Sequence, residues 1–286
     1  MYTTLISAEQ LQPLLAAPAS CVVFDCSFNL MQPEAGAADY AQAHIPGAVY
    51  AHLDHALSAK PGVHETTSGG RHPLPGRERF AGWLASVGLS NDMQAVVYDR
   101  NGANYCGRLW WMLKWAGHEA VAVLDGGLQA WQAAGGAVTG GQESARAPGL
   151  FALKETRARL LDAQAVASNL GRPGQTLLDA RATPRFKGEV EPLDPVAGHI
   201  PGALNRPFSQ NLGADGKFKP AAQLRAEFEA LLGQREPAGV VHHCGSGVSA
   251  LPNLLAMEIA GFSGTALYAG SWSDWCSDPA RPVAQG

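Results

Sequence analysis

No Cys-x-x-Cys pair occurs in the 286 residues, and the five cysteines, Cys21, Cys26, Cys106, Cys244 and Cys276, are odd in number and scattered. That spacing excludes a structural zinc site and offers no disulfide framework, so most of them are expected to be reduced and buried as small apolar side chains. Basic charge is also scarce, with 21 Lys and Arg against 25 Asp and Glu and a net charge of -4. Such a chain has no field for holding phosphate backbones, which excludes nucleic acid as a partner. The first basic residue is Lys60, so the N-terminus shows neither the charged start of a secretory signal nor the Arg-rich face of a transit peptide. Long apolar runs are missing too, since Glu258 interrupts the best stretch, Leu254 to Ala260. The expectation is a cytoplasmic protein without membrane contact that acts on small molecules or proteins.

What the chain does have is an ordinary apolar content of 46%, with 33 Gly and 19 Pro spread along it. This is enough for two ordered domains, each with its own core. The sequence is also written twice. His44-Ile45-Pro46-Gly47-Ala48 recurs as His199-Ile200-Pro201-Gly202-Ala203. Further on, Val97-Tyr98-Asp99-Arg100 matches Val241-His242-His243-Cys244, Ala116-Gly117 matches Ala260-Gly261, and Trp131 matches Trp275, all at one offset without a gap. Two copies of one unit explain this more simply than chance.

Each copy alternates short apolar runs with longer helical patterns. The runs Val22 to Asp25, Ala95 to Tyr98 and Val121 to Leu124 read as strands in the first copy, as do Thr176 to Asp179, Val240 to His242 and Ala266 to Tyr268 in the second. Strands that are apolar on both faces and alternate with helices predict an α/β fold, two parallel sheets each flanked by helices on both faces. The apolar pattern fades from Gly135 to Pro148. The expected division is an N-terminal domain 1–138, a linker 139–150 and a C-terminal domain 151–286.

The run Val240 to Ala250 reads as strand, tight loop and helix, with Cys244-Gly245-Ser246-Gly247-Val248-Ser249 as the loop. Ligands of open α/β sheets bind at the carboxyl ends of strands, where Cys244 falls. Gly245 and Gly247 let the backbone curl so that successive N–H groups face inward, an anion nest closed by a helix N-terminus, and such a site favours thiolate over thiol. The plainer reading makes Cys244 a core residue and the glycines turn formers. The repeat tips the balance, because the first copy carries Arg100 and Asn101-Gly102-Ala103 at the same place and so tolerates loss of the cysteine. Phosphatase chemistry requires an arginine six residues after such a cysteine, and Ala250 stands there.

The paired His-Ile-Pro-Gly-Ala motifs, the segments Val123 to Gly127 and Leu267 to Ser271 with their tryptophans, and the single cysteine loop resemble the tandem rhodanese sulfurtransferases, over nearly the whole chain. The loop from Cys244 to Ala250 is similar to the 3-mercaptopyruvate sulfurtransferase type, with Ser249 where Thr is usual. The resemblance implies that only the second rhodanese domain is catalytic, with Cys244 as a nucleophile carrying a persulfide. It places Gly245, Gly247, Val248 and Ser249 around the bound sulfur. It further implies a proton relay of Asp54, His72 and Ser246. By their residue types alone, His72 is a loop histidine and Asp54 a helix cap.

Arg185 matches an arginine that grips the donor carboxylate, whereas Arg181 has no such match and is expected in a surface ion pair. A second gripping arginine is usual where Leu193 stands. The implied donors are mercaptopyruvate or thiosulfate, and the implied acceptors are cyanide, a small thiol or thioredoxin, with no metal or organic cofactor. The alternatives are a thiosulfate:cyanide sulfurtransferase, favoured by Leu193, and a non-catalytic rhodanese module.

Overall fold

The computed structural model describes residues 1–17, 20–59, 62 and 64–286; Lys60 lies outside them. Contacts divide the chain into two units, the first Met1–Ala59, Pro75–Ala158 and Ala214–Lys217, the second Lys60–Leu74, Arg159–Gly213 and Phe218–Gly286. The short stretch before Leu74 thus packs with the second unit although it is embedded in the sequence of the first.

The first unit holds β1 (Leu5–Ile6), β2 (Cys21–Asp25), β3 (Val49–Tyr50), β4 (Gln94–Tyr98) and β5 (Val121–Leu124). The second holds β6 (Arg159–Leu161), β7 (Thr176–Asp179), β8 (Leu204–Asn205), β9 (Val240–His243) and β10 (Ala266–Tyr268). Their orders are β1-β5-β4-β2-β3 and β6-β10-β9-β7-β8, the same topology twice, and every pairing is parallel. The six expected strands are all present. The four missed ones, β1, β3, β6 and β8, are edge strands of two or three residues, too short to show a pattern.

All residues of β2, β4, β7 and β9 are buried, as strands covered by helices on both faces must be. Ile6, Leu11, Val23, Tyr98 and Trp131 form part of one core, and Val166, Leu177, Val241, Tyr268 and Trp275 part of the other. After the first strand of each copy a polar side chain starts a helix. Ser7 caps Ala8–Leu15 with a full capping box, and Asp162 caps Ala163–Ser168 by accepting from Ala165 N.

The repeated His-Ile-Pro-Gly-Ala motif is structural in both copies. Nδ1 of His44 donates to Tyr40 O at 2.7 Å and that of His199 to Phe186 O at 2.8 Å, each ring stacking on the aromatic residue it bonds. The backbone of His44 pairs with Thr139, and that of His199 with Ala284. Residues 139–158 continue along the first unit, through Gly149 N to Ala85 O at 2.8 Å and Lys154 N to Ala116 O at 3.1 Å.

Candidate active site

Strand β9 delivers its chain at the carboxyl edge of the second sheet, and the next residue is Cys244, which is 2% exposed. The loop 244–250 then leads into the helix Leu251–Ile259. Gly247 has φ +74, and a Cβ built there would stand 2.1 Å from Ala269 O, so only glycine permits this curl against the backbone after β10. The backbone N–H groups of Gly245, Ser246, Val248 and Ser249 have no protein acceptor among the described residues, which leaves them available to an anion.

The loop is held from the segment after β10. Ser271 Oγ accepts from Cys244 N at 3.1 Å and donates to Tyr268 O at 3.0 Å, while Trp272 N donates to Cys244 O and Ser273 N to Gly245 O, both at 2.9 Å. To do this Ser271 adopts φ +56, a left-handed conformation costly for a residue with a Cβ. The first unit has Gly127 at φ +60 in the matching place. Sequence reasoning missed Ser271; the departure from Gly127 was its visible signal.

His72 and Ser246 come together. Nδ1 of His72 lies 2.7 Å from Ser246 Oγ, with both residues buried. Asp54 belongs to the first unit, half-buried, where its backbone N–H donates to His52 Nδ1 at 3.1 Å.

Arg185 comes from the short helix Thr183–Lys187, which Gly188 ends in a left-handed turn. A Cβ added to Gly245 would lie 3.5 Å from Arg185 Nη1 and 3.1 Å from Nη2 of Arg71, a residue the sequence reading did not select. Arg185 donates from Nη2 to Glu191 Oε1 at 2.6 Å and to Asp194 Oδ2 at 3.3 Å. Arg71 Nη1 pairs with Asp194 Oδ1. Burial, reinforced by the charge of Glu191, pushes the Asp194 carboxyl up in spite of Arg71 and Arg185.

Arg181 corrects an expectation. It is 4% exposed rather than superficial, and its Nη2 donates to Asp179 Oδ2 and to Gly198 O, both at 2.7 Å. Burial alone would raise the Asp179 carboxyl, but the charges of His243 and Arg181 and the hydrogen bonds from Arg181 hold it below the usual range. In the first unit Arg100 takes the position of Cys244, and its Nη1 serves the corresponding buried carboxylate, Asp25, at 3.0 Å. That guanidinium also reaches Ser27 and Ala43 O, so the place where the second copy has its thiol is filled in the first.

All five cysteines are free and buried. Burial pushes Cys21 up to about 11 and raises Cys26 and Cys106 well above the ordinary thiol value; it raises Cys276 as well. These four are held as neutral, weakly nucleophilic thiols. A separate cluster in the first unit, Glu34, His52 and His55, brings one ligand atom from each residue within 4.8 Å of the others. It was not foreseen, since Glu34 is remote in sequence from the two histidines.

A family model described as "Rhodanese-like domain" matches residues 7–134 and 162–278. The chain is 50% identical to the "Probable 3-mercaptopyruvate sulfurtransferase" of Pseudomonas aeruginosa, over 99% of this chain and 98% of that one. It is 34% identical to the thiosulfate sulfurtransferase of Bos taurus over 92% of this chain and 88% of that one. The crystal structure of the 3-mercaptopyruvate sulfotransferase SseA from Escherichia coli superposes with a TM-score of 0.81 at 30% identity, covering 95% of this chain and 100% of that one. The chain therefore belongs to the rhodanese family, with one rhodanese-like domain in each half.

Proposed function

We propose that this protein is a sulfurtransferase that moves the sulfur of 3-mercaptopyruvate, by way of a persulfide on Cys244, to a thiol or cyanide acceptor. The observation that carries the donor assignment is the 2.7 Å contact of His72 with Ser246, two residues from Cys244. A proton-carrying pair beside a thiol has work to do when the leaving group must be protonated, as the pyruvate enolate must.

In the first step the Cys244 thiolate attacks the donor sulfur. The S–S bond forms as the C–S bond breaks, and the bonding pair leaves as the enolate of pyruvate. Ser246, backed by His72, passes a proton to the enolate carbon, and the resemblance gives Asp54 the task of orienting that pair. The unpaired N–H groups of the loop hold the negative charge on sulfur. Gly245, Ser246, Val248 and Ser249 offer these N–H groups, Gly247 gives the curl that turns them inward, and Arg185 takes the donor carboxylate. In the second step an acceptor thiolate, cyanide or a thioredoxin attacks the outer sulfur of the persulfide and restores the Cys244 thiolate. The same reading assigns the nucleophile to the catalytic domain 151–286, with 1–138 as the domain without an active-site cysteine and 139–150 as the linker, and puts the protein in the reducing cytoplasm.

A second reading, thiosulfate as donor, is favoured by Leu193, which leaves the expected position of a second arginine apolar. The test is mass spectrometry after exposure to each donor, beside a comparison of kcat/KM for mercaptopyruvate and thiosulfate. One added sulfur on the wild type and none at that site in Cys244→Ser is the expected result. Sulfur transfer by the Cys244→Ser protein would overturn the mechanism, and a higher kcat/KM for thiosulfate would favour the second reading.

A further inference from the structure

We propose that Arg71 is a specificity-determining residue that grips the donor carboxylate together with Arg185, the two guanidiniums converging on Gly245. This rests on the sulfurtransferase reading and assigns the second grip to a residue far from Leu193 in sequence.

The argument starts from the loop that carries Arg71. Thr67 N donates to Leu74 O at 2.8 Å and Leu74 N to Ser68 Oγ at 2.9 Å, closing the segment on itself. Its tip lies hard against the segment after β10. A Cβ at Gly69 would meet Asp274 Oδ1 at 2.5 Å, and one at Gly70, where φ is +85, would meet Gly270 O at 2.5 Å. Arg71 N donates to Ser273 Oγ at 3.1 Å. The backbone is thus fixed at the residue before His72, and the same tip directs His72 to Ser246 and Arg71 to Gly245.

The guanidiniums are then set by their counter-ions. Arg71 spends Nη1 on Asp194, and Arg185 spends Nε and Nη2 on Glu191 and Asp194. Among the nitrogens left over are Arg71 Nη2 and Arg185 Nη1, which approach the empty Cβ position of Gly245 at 3.1 and 3.5 Å. Neither has a protein acceptor among the described residues. Asp194, 3% exposed at its side chain, braces both arginines from behind, while their own side chains remain 29% and 19% exposed and open to a solute. Arg181, at 2%, is spent on Asp179. Two free donors converging on a residue without a side chain, next to Cys244, suit the two oxygens of a planar carboxylate.

The test compares wild type, Arg71→Gln and Arg71→Lys with mercaptopyruvate as donor and pyruvate as competitive inhibitor, since pyruvate carries the carboxylate without the sulfur. Loss of one charge-assisted grip raises the KM of mercaptopyruvate and the Ki of pyruvate in Arg71→Gln by about 10–150-fold, with kcat within about threefold of wild type. Arg71→Lys keeps the charge without the fork and falls between, and it supplies the answer should Arg71→Gln not fold. An unchanged KM and Ki in the folded variants overturns the proposal, as does a fall in kcat at constant KM. Sulfur loading of the wild type is read separately, so failure of the sulfurtransferase reading is distinguishable from failure of the role of Arg71.

Discussion

Replacing His72 by Ala and Ser246 by Ala, singly and together, tests whether the two side chains act as one proton path. They lie 2.7 Å apart and are 7% and 6% exposed, so removing either takes from the other a buried hydrogen-bond partner. That costs about 1–3 kcal/mol of stability whichever donor is used, and denaturant unfolding reads it. The catalytic effect is separate. General acid catalysis contributes about 10²–10⁴-fold, so each single variant should lose roughly 3–5 kcal/mol of transition-state stabilisation with mercaptopyruvate. If the proton passes through both groups, the double variant loses no more than either single one, and the coupling is as large as the single loss. With thiosulfate the leaving sulfite needs no proton, and the losses and the coupling should shrink to within about tenfold. Stopped-flow measurement of persulfide formation with each donor decides the matter. Equal losses with both donors, or losses that multiply in the double variant, would refute the relay.

Three further outcomes follow from single residues. Gly247→Ala forces a Cβ to within 2.1 Å of Ala269 O at φ +74, so it should lose about 1–2 kcal/mol for the backbone conformation alone, and persulfide formation should fall with it; wild-type stability and activity would show that the curl is not needed. Gly245→Ala meets first the flexible ends of Arg71 and Arg185, at 3.1 and 3.5 Å, and should fold normally while raising the donor KM; a protein that fails to fold would contradict the give expected of those side-chain ends. His242, fully buried, is pushed down to about 3 by burial and by its neighbour His243. Its folded value is depressed, so its contribution is complete above the unfolded value near 6.5 and is lost as pH falls toward 3, at up to about 1.4 kcal/mol per pH unit. Urea unfolding between pH 7 and 4 should show a shallower slope in His242→Leu than in the wild type, and identical slopes would contradict this.

The parts of the molecule legible in the sequence were those with a local signature. Strands such as β5 and β10 are apolar throughout because both faces are covered, and the double motif exposed the repeat before any fold was known. Cys244 stood out through its loop and through the mismatch with Arg100. What stayed hidden depends on contacts between distant segments. Arg71 lies in the stretch before Leu74, which packs with the second unit, and nothing in its neighbourhood announces Gly245 as its companion. The glycines at 69 and 70 were the one clue, because two adjacent residues without side chains allow a close backbone approach.

The misreading of Arg181 has a physical cause that the repeat contained. Asp25 and Asp179 end equivalent strands, both fully buried, and each needs a cation. In the first unit that cation is Arg100, at 3.0 Å from Asp25. Placing a cysteine there in the second unit removes it and strands Asp179. The compensation comes two residues after the aspartate, where Ser27 of the first copy becomes Arg181 of the second, and its guanidinium satisfies Asp179 at 2.7 Å from a different direction. Two substitutions that look unrelated along the chain are therefore one exchange. The guanidinium leaves the end of β9, the buried carboxylate keeps its counter-ion, and the vacated place is the one in which Cys244 presents its sulfur.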